Sequence, residues 1–572
     1  MLLYILLSVL ACTPGSDRGS DALAKSLALV PPEAGAIIAM PDLGRLNDDL
    51  GALIDATNQP AAVLAGRPIE MMKASFGIGA EFDESGCLLI WVQPDAAQGD
   101  SLAPVYLIPT ANPQAFLEAN FTADGSGWRN NDTELLYART CGSHVLLSPV
   151  EQFATSYDPR NGSADRVLSR HGTDQAAALA KTDLLAWIDG STLRNMSKQY
   201  EEMSQEIPFS DGRGLPPAVA SAFEDSLVLV DFDPLGLSVR KFTYFDPESE
   251  FGSLLTGAVG SKAPLGRLPL APFYFAMSMD IAGMGGMKTL HRIFEVLGGK
   301  SEDLPEAILA PELEVDAIEA AVYPSRLGIA LGGFFNDSAL IMTGPDPQAL
   351  EDHFRKTLKG LDGERGGVRY ETTWTDDKEL RTGGVSDAFQ VKETVLPPSQ
   401  RGTTKGLGDA ALQRMFMQTL FGSRGLAGFA GTEGDAFILT FSQRPDVWNR
   451  AVGAAAGNIS NLGKNSVLTS MRPWLMADPD IEFAIGFGSL GKLLNQLARS
   501  FPMIEPDQMP QIPEGTPPVV LNLGYRDSTA EMALVVPSGV IALGMEQVMK
   551  EASGNGRFGS PLGGRPSSNR DD

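Results

Sequence analysis

The order of apolar segments repeats once along this chain, and that repetition constrains the fold more than any single motif. Each half opens with a strand-like run, Ala36–Met40 and then Phe273–Met277, followed by a turn and a helix-like segment. Both halves later carry the pattern Asn/Asp-Pro-Gln-Ala, at 112–115 and 346–349. An Asn or Asp side chain can cap a helix that begins with proline, so the pattern predicts a helix start in each half.

Three further segments recur in the same order. A strand–turn–strand pattern surrounds Gly142 and Gly434, a single strand follows, and both halves close on two strands and a helix. This mixture predicts an α+β fold, with a mixed, mainly antiparallel sheet and flanking helices. We therefore predict two tandem copies of one domain, at 28–262 and 266–551.

Two segments fall outside the repeated order. The second half contains a polar, glycine-rich stretch at 357–410, which we interpret as an insertion into the second copy. Residues 552–572 are polar and rich in glycine and serine, a composition typical of a disordered tail.

A short apolar leader occupies residues 1–11 and ends at Cys12. It is about half as long as a membrane-spanning helix needs to be. Its last residues, Val9-Leu10-Ala11-Cys12, resemble the lipobox of bacterial lipoproteins. That resemblance implies a signal peptide at 1–11 and a lipidated Cys12 that opens a flexible linker at 12–27. A plain cleaved signal peptide is the alternative.

Two more features resemble exported proteins of Gram-negative bacteria. The segment Val30-Pro31-Pro32-Glu33-Ala34, followed by a strand and Asp42-Leu43, resembles the opening of large uncharacterised members of that group. The resemblance covers the opening and the general layout, and it brings no agreed activity with it. Thr13 directly after the cysteine resembles lipoproteins sorted to the outer membrane. Together these features imply a lipid-anchored protein of the cell envelope that faces the periplasm.

The remaining cysteines offer a possible disulfide, and the net charge disfavours some classes of binding partner. If Cys12 is lipidated, Cys87 and Cys141 remain. In an exported protein they can form a disulfide, and the alternative is two small apolar residues in or beside strands. The net charge of −26 argues against nucleic acid as a partner, because nucleic-acid binding depends on Lys and Arg. It also disfavours anionic lipid surfaces, so membrane attachment is expected through the lipid anchor.

The motifs carry no complete catalytic or metal-binding pattern. Ser489–Lys492 matches S-x-x-K without its companion elements, and Gly283–Lys288 opens a helix without the spacing of a phosphate loop. Asp231–Gly236 lacks the later ligands of a calcium loop. The histidines have no metal-ligand spacing and occur at positions 144, 171, 291 and 353.

We therefore expect a non-enzymatic envelope lipoprotein with a binding or structural role, without a metal or cofactor. Its expected partners are the membrane and an envelope protein or hydrophobic ligand. A carrier of lipid or another hydrophobic ligand is the first alternative, because methionine suits adaptable apolar surfaces and clusters here at Met277, Met279, Met284 and Met287. Core packing is the other interpretation of these methionines. A hydrolase with an unrecognised motif is the second alternative for function.

The lipobox makes a direct prediction. Changing Cys12 to alanine removes the thiol that would carry the acyl chains. We expect the protein to leave the membrane fraction and to lose metabolic labelling with a palmitate analogue. Cys87→Ala serves as the control and should keep both properties. Unchanged fractionation of Cys12→Ala would contradict the lipoprotein interpretation.

Overall fold

The computed structural model describes residues 19–554 with interruptions. The intervals not described are 59–68, 71–72, 75–76, 95–101, 125–126, 131–136, 158–163, 169–178, 180, 196–215, 256–264, 301–309, 327, 329–332, 366–367, 397–418, 423–424, 443 and 501–511. The predicted leader, Cys12 and nearly all of the predicted tail lie outside the described residues.

The first half of the chain forms ten strands and seven helices among the described residues. They are α1 (Gly19–Leu27), β1 (Ala36–Met40), α2 (Leu43–Thr57), β2 (Leu88–Pro94), β3 (Leu102–Pro109), α3 (Pro113–Asn120), β4 (Phe121–Asp124), β5 (Gly127–Asn130), β6 (Tyr137–Cys141), β7 (His144–Ser148), α4 (Glu151–Ser156), α5 (Ala164–Leu168), β8 (Leu184–Asp189), α6 (Pro217–Ala222), β9 (Phe223–Asp233), β10 (Gly236–Phe245) and α7 (Glu250–Leu254).

The second half continues with further strands and helices. They are β11 (Phe275–Asp280), α8 (Met287–Val296), β12 (Ala317–Val322), β13 (Ser338–Thr343), α9 (Pro347–Lys359), β14 (Gly363–Arg365), β15 (Val368–Glu379), β16 (Val385–Val395), β17 (Ala427–Glu433), β18 (Ala436–Phe441), α10 (Pro445–Ala455), α11 (Ser466–Met471), β19 (Ile481–Ile485), α12 (Phe487–Ser500), β20 (Val519–Arg526), β21 (Thr529–Pro537) and α13 (Ser538–Gly554). Two short 3₁₀ turns, Leu462–Lys464 and Arg472–Trp474, flank α11.

The described strands form one sheet, and every pairing between them is antiparallel. Across the first half the order is β4-β5-β6-β7-β3-β2-β1-β8-β9-β10. Across the second half it continues as β21-β20-β19-β11-β12-β13-β18-β17-β16-β15-β14. The fold is therefore α+β with a large antiparallel sheet, as predicted at this level.

The pairing of β10 with β21 joins the two halves of the sheet. It runs through nine residue pairs, from Gly236↔Pro537 to Tyr244↔Thr529. Arg240 also donates to Glu531 across this seam, with 2.9 Å between Nη2 and Oε1. The halves consequently share one continuous hydrogen-bonded sheet.

Helices of one half complete the hydrophobic core of the other. Ile541 and Met545 of α13 pack against the first-half cluster that contains Leu46 and Leu50 of α2. Ile293 of α8 is buried in a cluster with first-half aromatics such as Phe245. Because apolar burial is the main stabilising term in folding, these contacts reinforce the backbone seam.

The central part of the segment 357–410, predicted to be a polar insertion, forms strands of the sheet. Residues 363–365, 368–379 and 385–395 form β14, β15 and β16, which extend the sheet beyond β17. Much of β15 lies on the surface, so its sequence is polar and rich in Thr, Asp and Glu. The polar composition therefore reflects exposure of the strand rather than an absence of strand structure.

The predicted flexible linker at 12–27 is too long. Residues 19–27 form α1, in which Leu23 and Leu27 are only 1% and 0% exposed and pack against Ile37, Leu89 and Trp91. Burying a leucine side chain contributes about 1.5–3 kcal/mol. That burial fixes the helix to the body despite its Gly- and Ser-containing start.

Of the two alternatives for Cys87 and Cys141, the structure shows small buried residues in or beside strands and no disulfide. Both cysteines are free and buried, and burial raises the pKa of the Cys87 thiol to about 12. Cys87 directly precedes β2 and Cys141 ends β6, with β3 and β7 between these strands. Three strand spacings separate them by about 14 Å, twice the reach of a disulfide.

Two glycine-to-alanine substitutions should change stability in opposite directions, one in a crowded strand and one in an uncrowded helix. A Cβ at Gly428 in β17 would lie 1.7 Å from the carbonyl oxygen of Thr440 on β18, whereas one at Gly51 in α2 would meet nothing within 4 Å. We expect Gly428→Ala to lower the free energy of unfolding by about 1–3 kcal/mol and Gly51→Ala to raise it by up to about 1 kcal/mol. Urea denaturation measures both, and equal effects would contradict the packing.

Candidate ligand-binding cavity

A cavity of about 540 Å³ lies on one face of the second half of the sheet and opens to solvent. Strands β11, β12, β13 and β18 form its floor, and its accessible wall is entirely apolar. The lining residues are Met277, Met279, Ile318, Ala320, Ala321, Val322, Phe335, Ser338, Ala339, Leu340, Phe421 and Phe441.

Strand register places the small side chain of Ala320 at the centre of the floor. Ala320 pairs with Met277 on β11 and with Leu340 on β13, and Leu340 pairs in turn with Leu439 on β18. Residues paired across antiparallel strands point to the same face of a sheet. The row therefore dips at Ala320, between the longer side chains of Met277 and Leu340.

Three phenylalanines form the aromatic side of the cavity. The ring centroids of Phe335 and Phe421 are 5.7 Å apart, and those of Phe421 and Phe441 are 6.4 Å apart. The Phe335 amide donates to the carbonyl of Leu420 at 2.7 Å, which ties the loop before β13 to the helical residues 419–421. Centroid distances of this size are favourable for aromatic pairs, so the rings hold one another in place.

Close backbone approach at this rim requires glycine. Gly333 has a φ of +77°, and a Cβ there would lie 2.2 Å from the Gly422 nitrogen. A side chain at position 333 would therefore separate the two segments that carry Phe335 and Phe421.

The polar and charged groups beside the cavity are satisfied by protein partners. Ser338 is the polar side chain of the lining, and its hydroxyl donates to the Phe335 carbonyl at 2.8 Å. The neighbouring Asp337 accepts from Ser442 at 2.7 Å and from Arg444 at 2.9 Å. Burial raises the pKa of Asp337, and Ser442 and Arg444 oppose that rise.

Of the predicted methionine cluster, the structure brings Met277 and Met279 into the cavity wall. Met284 and Met287 are buried beside the start of α8 instead. The other cavity residues gave no signal as a set, because Phe335 and Phe421 are far apart in the sequence and Ala320 lies in an alanine-rich segment. A pairing register for β12 would have been needed to find them.

The glycine-rich turn at 283–288 meets an acidic surface. A second depression, of about 740 Å³, is lined by Gly285, Gly286 and Lys288 together with Glu312, Glu314 and Asp316. The Gly283 amide already donates to Asp280 at 2.9 Å. Three carboxylates around the helix start oppose phosphate binding by charge repulsion.

Ser489 and Lys492 do not form a catalytic pair. Both lie in α12, and the ammonium group of Lys492 forms an ion pair with Glu514 at 3.1 Å on the surface. Ser489 lies in the first turn of the helix, where its amide donates to the Gly486 carbonyl at 3.0 Å. The S-x-x-K pattern here lies within the first two turns of a helix that begins at Phe487.

His144 and the acidic turn between β9 and β10 make hydrogen bonds within the protein. His144 is buried, its Nε2 lies 3.1 Å from the Cys87 carbonyl oxygen and 3.3 Å from Ser26 Oγ, and burial lowers its pKa. Asp233 accepts from the Leu235 amide at 2.8 Å within the β9–β10 turn. Among the described residues, no group of three or more His, Cys, Asp and Glu is placed to hold a metal; His171 lies outside them.

Two buried carboxyls that do not line the cavity accept hydrogen bonds from backbone amides. Asp183 accepts from Arg45 at 3.1 Å and from the Phe232 amide at 2.8 Å, and Glu319 accepts from the Arg267 amide at 2.9 Å. Burial raises the pKa of each carboxyl to about 7. Their bonds to backbone amides give them a structural role at these positions.

Comparison with known proteins identifies no relative: no family model, no curated protein and no solved structure matches this chain. Within the described part of the chain, no helix combines the length and apolar character needed to cross a membrane.

Proposed function

We propose that this protein is a cell-envelope lipoprotein that binds an apolar ligand in the cavity formed by β11, β12, β13 and β18. The observation that carries the proposal is the open cavity with a wholly apolar wall. Its volume of about 540 Å³ falls among those of ligand-binding pockets, which are mostly apolar clefts. The polar groups beside the cavity, Ser338 and Asp337, bond to other parts of the protein, which agrees with a role in binding an apolar ligand.

The order of the strands supports the further proposal that the sheet consists of two copies of one unit. The sequence β6-β7-β3-β2-β1-β8-β9-β10 recurs as β17-β18-β13-β12-β11-β19-β20-β21. An aspartate precedes β8 and β19 alike, and each accepts from an amide of the next strand: Asp183 from Phe232 and Asp480 from Tyr525. The packing of α13 on α2 and of α7 on α8 has the same symmetry.

Matching the copies indicates why the second has open space at this position on its sheet. When β1 and β11 are aligned through their pairing with β8 and β19, Ile90 corresponds to Ala320 and Tyr106 to Leu340. Ile90 is buried in the first-half core, and Tyr106 packs against it. Smaller side chains at both positions leave open space in the second copy, much as large-to-small core substitutions create cavities.

The position of helix α1 limits the distance between the body of the protein and the proposed membrane anchor. Since α1 begins at Gly19, only residues 13–18 separate it from Cys12. Even fully extended, that stretch spans about 25 Å. A lipid on Cys12 would therefore hold the body close to the membrane, proposed to be the outer membrane, where apolar ligands are concentrated.

A charge placed in the cavity tests the proposal. We expect Met277→Lys to weaken binding of the fluorescent apolar probe N-phenylnaphthylamine by at least about tenfold, because burying an unpaired ammonium is costly. Fluorescence titration of the full chain measures this effect. Leu235→Lys is the control, since Leu235 is 63% exposed in the β9–β10 turn; it adds the same charge and should bind the probe as the unchanged protein does.

Circular dichroism melting of each variant shows whether the fold is retained. Equal probe binding by a folded Met277→Lys protein would refute the assignment of the cavity as the binding site.

A further inference from the structure

We propose that the ligand is a single hydrocarbon chain, an acyl chain, that enters the cavity and leaves its polar head in solvent. This proposal rests on the proposed function and names the chemical class of its ligand. It applies equally to the chain of a free fatty acid and to that of a membrane lipid.

Among the described residues that line the cavity, no polar atom is accessible to a ligand. Ser338 is 5% exposed, and its hydroxyl already donates to Phe335 at 2.8 Å. A ligand hydroxyl or amide buried here would lose its bonds to water without replacement, which is costly. The part of the ligand inside the cavity must therefore be hydrocarbon.

The lining suits a flexible chain. Met277 and Met279 are adjacent on one face of β11, and thioether side chains adapt their shape to what they contact. Phe335, Phe421 and Phe441 contribute an aromatic part of the wall whose rings contact one another. The volume of about 540 Å³ exceeds what one leucine or phenylalanine side chain of a partner protein would fill.

The charges near the rim do not select a head group. Asp337 is held by Arg444 and Ser442, and Arg444 also pairs with Asp446. Among the described residues that line the cavity, none carries a charged side chain. Binding should consequently depend on the length of the chain and hardly on the chemistry of its head.

Displacement of N-phenylnaphthylamine by saturated fatty acids of 8 to 18 carbons tests whether affinity depends on the length of the acyl chain. The full protein carrying Cys12→Ala allows the titration to be run without detergent. Each added methylene should raise affinity by about fourfold, equivalent to about 0.8 kcal/mol, until the cavity is full. Beyond that length, affinity should stay constant. Affinity that does not change with chain length would overturn the proposal.

Three ligands matched to one parent fatty acid test which part of the ligand lies inside the cavity and which part lies outside. A fatty acid with a mid-chain hydroxyl should bind at least about tenfold more weakly than its parent, because the hydroxyl would be buried unpaired. The methyl ester and the lysophospholipid of the same chain should bind within about threefold of the acid. Tolerance of the hydroxyl, or loss of binding with the changed head, would overturn the proposal.

Filling the floor of the cavity should shorten the preferred chain. We expect Ala320→Val and Ala320→Phe to move the length at which affinity levels off to progressively fewer carbons. The valine variant keeps the test open if phenylalanine prevents folding. An unchanged plateau in either folded variant would overturn the proposal.

Failure of this proposal and failure of the proposed function give different results. If Met277→Lys abolishes probe binding but chain length has no effect, the cavity binds another class of apolar ligand. If Met277→Lys leaves probe binding unchanged, the cavity is not the binding site, and both proposals fail.

Discussion

The antiparallel pairing of β10 with β21 is the contact on which the rest of the molecule depends. Nine residue pairs bring together segments almost 300 positions apart in the chain. Once they pair, the sheet is continuous from β4 to β14. Contacts of such long sequence separation require closure of a long loop, so we expect this seam to form only when both halves have largely folded.

The seam also determines where the helices lie. Because β21 leads directly into α13, the pairing delivers α13 to the first half, where Ile541 and Met545 complete a core that α2 begins. On the other side, α7 follows β10 and lies against α8. Each half thus supplies a helix to its neighbour, and the cavity lies on a sheet that both halves support.

Much of this fold could be predicted from the sequence, because its strands alternate or run apolar between clear turn signals. The hairpin around Gly142 and the helix start at Pro113 are examples. The segment Ala317–Val322 gave no strand signal, since it is rich in alanine and carries the buried Glu319. The polar strand β15 was missed because it lies exposed, and α1 because its buried leucines follow a loop-like start.

The site was predictable only in part. Methionine composition pointed to Met277 and Met279, but Ala320 matters because of its neighbours across the sheet, and those depend on register. The same limitation left a disulfide open as an alternative. Cysteine count alone could not show that β3 and β7 separate Cys87 from Cys141.

Photo-crosslinking with a fatty acid that carries a diazirine at its terminal carbon tests the central claim most directly, because it reports where the chain end lies. Irradiation of the complex followed by peptide mass mapping should place the label on peptides that contain 275–280, 317–322 or 335–342. Label concentrated on strands of the first half, or spread over surface helices, would contradict binding in this cavity.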